Sequence, residues 1–245
     1  MLRGQGNLYD GIKLEELAEE RRCFKYVVDK MQKTICHRDV AHYNIKKIFR
    51  IANNKNWPRY VNRREVIKNE MEGSWVEEKR LFHGSPHAQE IATDGFDRGY
   101  AKDSGMFGKG VYFAENSSKS NNYAYGNFSP CKDHTNRQCE LCTLCKVALG
   151  KVFETTSTVK SCPRGYHSVK ALPQRGFLNH VEYIIYNDDQ VYPRFLIEYT
   201  TTYTAQVVPR PNPQIDPFFR QFLRLKRMMN KPQQNRQNTK GCIIL

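Results

Sequence analysis

The chain has 245 residues, of which 39% are hydrophobic and 12% aromatic, and these proportions are sufficient for a folded core. No segment approaches the roughly 18 apolar residues of a membrane span, and residues 1–20 lack the apolar run of a signal peptide. The formal net charge of +14 favours anionic partners such as nucleic acid, acidic lipid or a polyanionic product, or it serves solubility alone. We therefore expect an intracellular protein.

Hydrophobic spacing predicts the order of the first elements. Apolar residues recur at helical spacing among charged residues over 12–35, which predicts a helix, and a second helix is predicted over 57–72. Between them, residues 44–51 alternate partly between apolar and polar and predict a strand. A short strand with His83 follows, and then a short helix over 87–94 that Gly95 closes.

The second half of the chain is dominated by short strands. A strand with Tyr112 comes first, and further strands are predicted at Cys145–Val152, Val181–Tyr186 and Phe195–Tyr203. Two early helices followed by several short strands indicate the α+β class, built on antiparallel sheet.

The composition changes after Val208. Prolines at 209, 211, 213 and 217 mark a linker, and residues 210–245 contain eight Lys or Arg and one Asp. We therefore expect a folded domain over 1–208 and a basic tail over 209–245.

The tail ends in Cys242-Ile-Ile-Leu, which matches the C-a-a-X pattern and favours geranylgeranylation of Cys242. The alternative is that these four residues match the pattern by chance. A prenyl group and the basic residues together would bind an anionic membrane surface.

The eight cysteines of an intracellular chain favour metal binding or packing over disulfides. Cys131, His134, Cys139 and Cys142 have the spacing C-x2-H-x4-C-x2-C, which predicts a structural zinc site with four ligands. There are two alternatives: the three cysteines are reduced and these four residues bind no metal, or the segment is a zinc knuckle that binds nucleic acid. Cys23, Cys36 and Cys162 are isolated, and each is interpreted as a small buried or neutral residue.

Three motifs within residues 81–123 indicate a ligand site. The first is Leu-Phe-His-Gly-Ser at 81–85, the second is Gly-Met-Phe-Gly-Lys-Gly-Val-Tyr-Phe-Ala-Glu at 105–115, and the third is Ser-Ser-Lys-Ser-Asn-Asn-Tyr at 117–123. The bare backbone of Gly84 can approach a ligand closely. Two tyrosine faces, a hydroxyl and backbone amides suit a flat heteroaromatic carboxamide such as nicotinamide.

The order and spacing of these motifs resemble the catalytic domain of poly(ADP-ribose) polymerases, and the tankyrase branch in particular, over roughly residues 12–205. The resemblance implies an ADP-ribosyltransferase fold of packed antiparallel sheets with flanking helices and a small zinc-binding loop at 131–142. It implies that NAD+ is the substrate, that ADP-ribose passes to acceptor proteins and that nicotinamide is released. Neither the ankyrin repeats nor the sterile-alpha-motif domain usual in tankyrases occurs in this chain.

The motif match also implies roles for individual residues. His83, Tyr112 and Glu182 are expected to form the catalytic triad, with Glu182 in the Val-Glu-Tyr-Ile-Ile-Tyr segment at 181–186. The residues expected to bind NAD+ are His83, Gly84, Ser85, Tyr112, Ser120 and Tyr123. Family members that lack this glutamate transfer single units, so its presence favours polymer formation. Single-unit transfer and a non-catalytic module that binds ADP-ribose or nucleic acid are the alternatives, and both cytoplasm and nucleus stay open.

Overall fold

The computed structural model describes residues 11–38, 40–101, 105–124, 128–132, 138–174 and 178–204, with the backbone alone described for 128–132 and 138. The chain divides into two units, Met1–Val208 and Pro209–Leu245, and all described residues belong to the first. The expected tail with Cys242, and the candidate zinc ligand His134, lie outside the described residues. Prenylation and membrane binding therefore stay predictions.

The elements of the described chain alternate between strands and helices as far as the helix Ser117–Asn121, and six strands follow. In chain order they are β1 Ile12–Glu16, α1 Arg22–Lys33, β2 Val40–Asn53, α2 Asn56–Glu70, β3 Glu78–Gly84, α3 Ala88–Asp94, β4 Val111–Ala114, α4 Ser117–Asn121, β5 Phe128–Lys132, β6 Gln138–Ala148, β7 Val152–Thr155, β8 Ser168–Ala171, β9 Glu182–Ile185 and β10 Val191–Tyr203. Two 3₁₀ turns, at Arg98–Tyr100 and Asp188–Gln190, complete this inventory.

Ten strands in the described ranges form one sheet in the order β1-β2-β10-β6-β3-β4-β9-β8-β7, with β5 paired to β6. All of these pairs are antiparallel except β7 with β8. The predicted α+β class, consistent with the fold of ADP-ribosyltransferases, is confirmed.

Helices cover both faces of the central strands. On one face α1 packs against the sheet in a buried cluster that includes Val27, Met31, Phe82, Leu144 and Ile197. On the other face α3 packs in a cluster of Ala88, Ala92, Ile51, Leu141 and Leu196. Burial of each large aliphatic side chain stabilises the fold by about 1.5–3 kcal/mol. Among the described residues, no helix is long and apolar enough to cross a bilayer.

The single helix predicted over 12–35 is wrong in its first part. Residues 12–16 form β1, which pairs with Phe49–Asn53 of β2, and the helix begins only at Arg22. Leu14 and Leu17 fit helical spacing, but Leu14 lies opposite Ile51 in the sheet, and Glu15 and Arg50 form an ion pair across the two strands. Pairing with a distant strand therefore outweighs the local period.

The single strand predicted over 145–152 is also wrong, because it is two strands. The long strand β6 begins earlier and ends at Ala148, and β7 begins at Val152. Gly150 lies between them with φ +59°, a backbone conformation that favours glycine and that turns the chain out of β6. The predicted helices around 57–72 and 87–94 are confirmed as α2 and α3, and Gly95 ends α3 with φ +89°.

We expect Tyr192→Phe to lower the free energy of unfolding by about 1–3 kcal/mol. The buried Tyr192 hydroxyl accepts from the Asn53 N–H at 3.0 Å and donates to the Ile51 carbonyl at 3.1 Å, so its loss leaves two buried backbone groups of β2 without this partner. Urea unfolding measures the change, with Tyr26→Phe at an exposed position as the matched control. Equal midpoints for the two variants would contradict this account.

Candidate active site

The sheet opens between β3 and β4, and the side chain of His83 bridges the opening. The two strands share one paired position, Phe82 with Ala114. Beyond that position the Nδ1–H of His83 donates to the Tyr112 carbonyl at 2.8 Å, in place of a backbone donor. Because a carbonyl only accepts, Nδ1 carries the proton and the lone pair of Nε2 is available to a hydroxyl donor.

Aromatic rings hold His83 in this position. The centroids of Phe96 and Phe113 lie 5.1 and 5.4 Å from the centroid of the imidazole. Burial among these rings lowers the pKa of His83 from 6.5 to about 4, and the hydrogen bond to Tyr112 offsets only part of that shift. His83 is therefore neutral at pH 7, with a fixed tautomer.

Gly84 presents its backbone to the same opening. Thr143 of β6 donates to the His83 carbonyl at 3.4 Å, so this carbonyl faces β6. In a trans peptide the C=O and the following N–H point in opposite directions, so the Gly84 N–H faces the opening. A Cβ at Gly84 would lie 1.8 Å from the Ser120 carbonyl oxygen, which means that only glycine fits beneath α4.

The glycine-rich loop at 105–110 is tied down by two tyrosines. The Tyr112 hydroxyl accepts from the Phe107 N–H at 2.9 Å and donates to the Gly108 carbonyl at 3.0 Å. The Tyr186 hydroxyl donates to the Phe107 carbonyl at 2.7 Å. Tyr112 thus anchors the loop through its hydroxyl, while its carbonyl accepts from His83. The anchoring role of Tyr186 was missed at the level of sequence, although it ends the same motif as Glu182.

A buried ion pair joins α4 to β9, the strand that pairs with β4. Lys119 Nζ lies 2.7 Å from a carboxylate oxygen of Glu182, and the two side chains are only 17% and 10% exposed. The same ammonium donates to the Tyr123 hydroxyl at 3.3 Å and lies 5.1 Å from the centre of its ring. Burial alone would lower the pKa of Lys119, but its hydrogen bond to Glu182 and the charge of Glu182 raise it above its ordinary value.

Sequence reasoning missed Lys119 although it directly precedes the candidate Ser120. A lysine on a short helix usually has its charge in solvent, and the sequence holds no sign that its partner lies 63 residues away. The sequence did offer one indication that Lys119 belongs to the site. It lies in the motif at 117–123, in which Ser120 and Tyr123 were already candidates.

The structure brings most of the predicted site residues together around β4 and α4. Cross-strand pairing of Ala114 with Glu182, and of Tyr112 with Ile184, places Tyr112 and Glu182 on the same face of the sheet. Burial raises the pKa of Tyr112, and the charges of Glu182 and Tyr123 raise it further. His83 joins them through the Tyr112 carbonyl, and their roles in catalysis stay predictions.

Ser120 and Ser85 lie on either side of Gly84. Ser120 is buried on α4, where its carbonyl closes over the glycine. The hydroxyl of Ser85 accepts from the His87 N–H at 3.1 Å, at the start of α3. Both candidate binding residues thus adjoin Gly84, Ser120 from α4 and Ser85 from the loop between β3 and α3.

The predicted zinc ligands are placed only in part. Cys139 and Cys142 are both buried on β6. Cys142 packs in the cluster beneath α1, whereas Leu141 packs beneath α3, so the alternation of the strand puts Cys139 on the face opposite to Cys142. As placed, these two thiols do not fit one tetrahedral ion, and zinc could take both only if β6 were rearranged. Of Cys131 the backbone on β5 is described and His134 is outside the described residues, so the zinc site stays a prediction.

His167 has structural contacts. Its Nε2 lies 2.8 Å from a carboxylate oxygen of Glu70 in α2, and its Nδ1 accepts from the Lys151 N–H at 2.9 Å. These contacts fasten α2 to the segment that precedes β7, away from the opening.

Comparison with known proteins identifies the family. The family model for the poly(ADP-ribose) polymerase catalytic domain matches residues 21–177, which is more than half of the chain and includes His83 and Tyr112. Glu182 lies beyond the matched span, so its place in the site rests on its motif and on the contacts described above.

Three curated relatives illustrate the similarity. Human protein mono-ADP-ribosyltransferase PARP12 is 27% identical over 71% of this chain and 24% of its own length. A probable poly(ADP-ribose) polymerase of Dictyostelium discoideum is 29% identical over 64% of this chain and 44% of its own. Human protein mono-ADP-ribosyltransferase PARP14 is 37% identical over 35% of this chain and 5% of its own. The chain thus spans less than half the length of each of these relatives.

We expect the free energy of unfolding to fall as the pH falls from about 6.5 to about 4, partly through His83. In this window the unfolded chain binds a proton at His83 that the folded chain excludes, so stability drops by at most about 1.4 kcal/mol per pH unit from this group. His83→Gln should flatten the slope measured by urea unfolding at several pH values, whereas His42→Gln at an exposed position should leave it unchanged. An unaltered slope in His83→Gln would count against the lowered pKa.

We expect Lys119→Met to cost about 3 kcal/mol of stability, because it leaves the buried Glu182 carboxylate without its cation. The double variant Lys119→Met with Glu182→Gln should recover most of that loss, since neither group is then charged. Thermal and urea unfolding of the two single variants and the double variant give the coupling energy. Additive effects would mean that the pair contributes nothing in solution.

Proposed function

Because the chain belongs to the poly(ADP-ribose) polymerase catalytic-domain family, we propose that it transfers ADP-ribose from NAD+ to acceptor proteins and releases nicotinamide. The observation that carries this proposal is the position of α4, whose Ser120 carbonyl closes over Gly84 at the opening between β3 and β4 and whose Lys119 holds the carboxylate of Glu182. The backbone of Gly84 and this carboxylate suit the carboxamide and the ribose of nicotinamide riboside.

In this proposal nicotinamide binds between the rings of Tyr112 and Tyr123. The Gly84 N–H donates to the carboxamide oxygen, and the hydroxyl of Ser120 adds a second polar contact. Tyr112 is partly buried, while Tyr123 is 56% exposed, so a flat ring laid on Tyr123 would cover surface that is otherwise in water. At the far end of the dinucleotide, Nε2 of His83 accepts from a hydroxyl of the adenosine ribose.

The reaction breaks the bond between C1′ of the ribose and the pyridinium nitrogen. The electron pair of this bond returns to the nitrogen, neutral nicotinamide leaves, and the ribose acquires the character of an oxocarbenium ion. The carboxylate of Glu182 stabilises that positive charge and accepts from the ribose 2′-hydroxyl. The acceptor oxygen then attacks C1′ while Glu182 draws off its proton, and Lys119 keeps the carboxylate in position through the contact at 2.7 Å.

We propose that the product is a polymer, because the segment that contains Glu182 resembles the strand on which the family's polymer-forming members carry their glutamate. Transfer of single units is the second candidate, and one observation favours it: two of the relatives described above are named mono-ADP-ribosyltransferases. A module that binds ADP-ribose or nucleic acid without catalysis is the third, supported by the net charge of +14.

Incubation of the full chain with labelled NAD+ separates the three candidates. Polymer formation gives a smear of automodified protein on a denaturing gel, single-unit transfer gives a discrete labelled band, and both release nicotinamide. A binding module gives neither label nor nicotinamide, and that result would refute the proposed transferase.

We expect Glu182→Gln to lower the rate of ADP-ribose incorporation by about 100-fold or more, because the amide cannot stabilise the developing positive charge. NAD+ binding, measured by calorimetry, should change little. The matched control is Glu154→Gln, which removes an exposed carboxylate paired with Lys170. Wild-type incorporation by Glu182→Gln would show that this carboxylate has no part in the chemistry.

A further inference from the structure

Three side chains that could bind a metal converge beside the candidate active site. The Nε2 atoms of His37 and His180 are 3.0 Å apart, and Sγ of Cys36 is 3.9 Å from Nε2 of His180. All three potential ligand atoms lie within 4.8 Å of one another. None of these residues belongs to the predicted zinc motif, and Cys36, expected to be buried or neutral, is exposed.

We propose that Cys36, His37 and His180 form a zinc-binding site with three protein ligands and one position open to solvent. Zinc prefers thiolate and imidazole ligands in tetrahedral geometry, at about 2.3 Å for sulfur and about 2.0 Å for nitrogen. Two nitrogens on one such ion are about 3.3 Å apart, close to the separation of the two imidazoles here. Small side-chain rotations therefore suffice to admit the ion.

The cysteine ligand is held by a buried serine. The Ser118 hydroxyl oxygen accepts from the backbone N–H groups of Cys36 at 2.9 Å and of His37 at 3.2 Å. With both lone pairs so used, its own proton is directed to Sγ of Cys36, 3.1 Å away. A hydroxyl that donates to sulfur stabilises a thiolate, which is the form that binds zinc.

The histidines are oriented as well. The Asn122 side-chain amide lies 3.5 Å from Nδ1 of His37, which turns Nε2 toward the cluster, and a half-turn of that amide offers its oxygen to an Nδ1–H once the metal takes Nε2. The two imidazole rings are 4.9 Å apart with an interplanar angle of 39°.

The site joins three segments of the chain around α4. Cys36 and His37 follow α1, Ser118 lies in α4 next to Lys119, and His180 precedes Glu182 by two residues. An ion held here links these segments, so occupancy should raise Tm. This proposal does not rest on the proposed function, because its readouts are metal binding and stability.

Cobalt titration of the metal-stripped, reduced full chain tests the site, because Co2+ bound to thiolate gives a charge-transfer absorbance. We expect the wild type to bind one more equivalent than Cys36→Ser, and their difference spectrum to show that absorbance. The difference removes the contributions of the other cysteines, including the predicted zinc ligands. Zn2+ should displace the cobalt and should raise Tm in the wild type more than in Cys36→Ser.

Two further variants sharpen the result. His180→Asn keeps the thiol but removes a nitrogen ligand, so the apparent Kd for Zn2+ should rise at least about tenfold. Cys162→Ser, which alters a thiol that contacts the Tyr166 carbonyl elsewhere, should bind metal as the wild type does. Equal stoichiometry and superimposable spectra for the wild type and Cys36→Ser would overturn the proposal.

Discussion

The candidate site depends on one hydrogen bond, in which the side chain of His83 takes the place of a backbone N–H as the donor to β4. At the paired position of Phe82 with Ala114, β3 and β4 are neighbours in the sheet, and one residue later the imidazole of His83 donates to β4 instead. An imidazole is longer than a peptide group, so the strands separate while the Tyr112 carbonyl keeps a hydrogen bond. A sheet opened without such a bridge would leave backbone polar groups unpaired in a buried place. The sheet therefore stays stable despite the opening, because His83, which follows Phe82, supplies this hydrogen bond.

The short helix α4 lies over this opening at Gly84, and contacts on three sides fix its position. The Ser117 hydroxyl donates to the Met31 carbonyl of α1 at 2.6 Å, and the Tyr199 hydroxyl of β10 donates to Asn121 at 2.7 Å. On the third side the Ser120 carbonyl sits where a Cβ of Gly84 would be. A helix of five residues has little stability of its own, so these tertiary contacts determine where Lys119 lies.

The sequence predicted those features of the structure that are determined by neighbouring residues, and it did not predict those that depend on residues far apart in the chain. The class of the fold, α2, α3 and the glycine loop follow from periodicity and from glycines at turns, and they were predicted. The strand β1 was not, because Leu14 fits a helix until its partner Ile51 is known. The loop anchored by Tyr186 and the ion pair of Lys119 with Glu182 join residues far apart in sequence, and no local pattern reports such a pairing.

The two zinc hypotheses also differ in whether a local sequence pattern predicts them. The first rests on such a pattern, and the second does not. The C-x2-H-x4-C-x2-C spacing is a strong local signal, yet Cys139 and Cys142 both lie in the strand β6, whose alternation puts their side chains on opposite faces. Cys36, His37 and His180 carry no spacing signal, because two of them follow α1 and the third precedes β9, 143 residues beyond His37. The spacing of ligand residues in the sequence predicts that their side chains are close in space only where the chain between them forms a turn. Where it is a strand, the alternation of the strand decides which side chains can meet, and a cluster assembled by the sheet becomes visible only once the strands are in register.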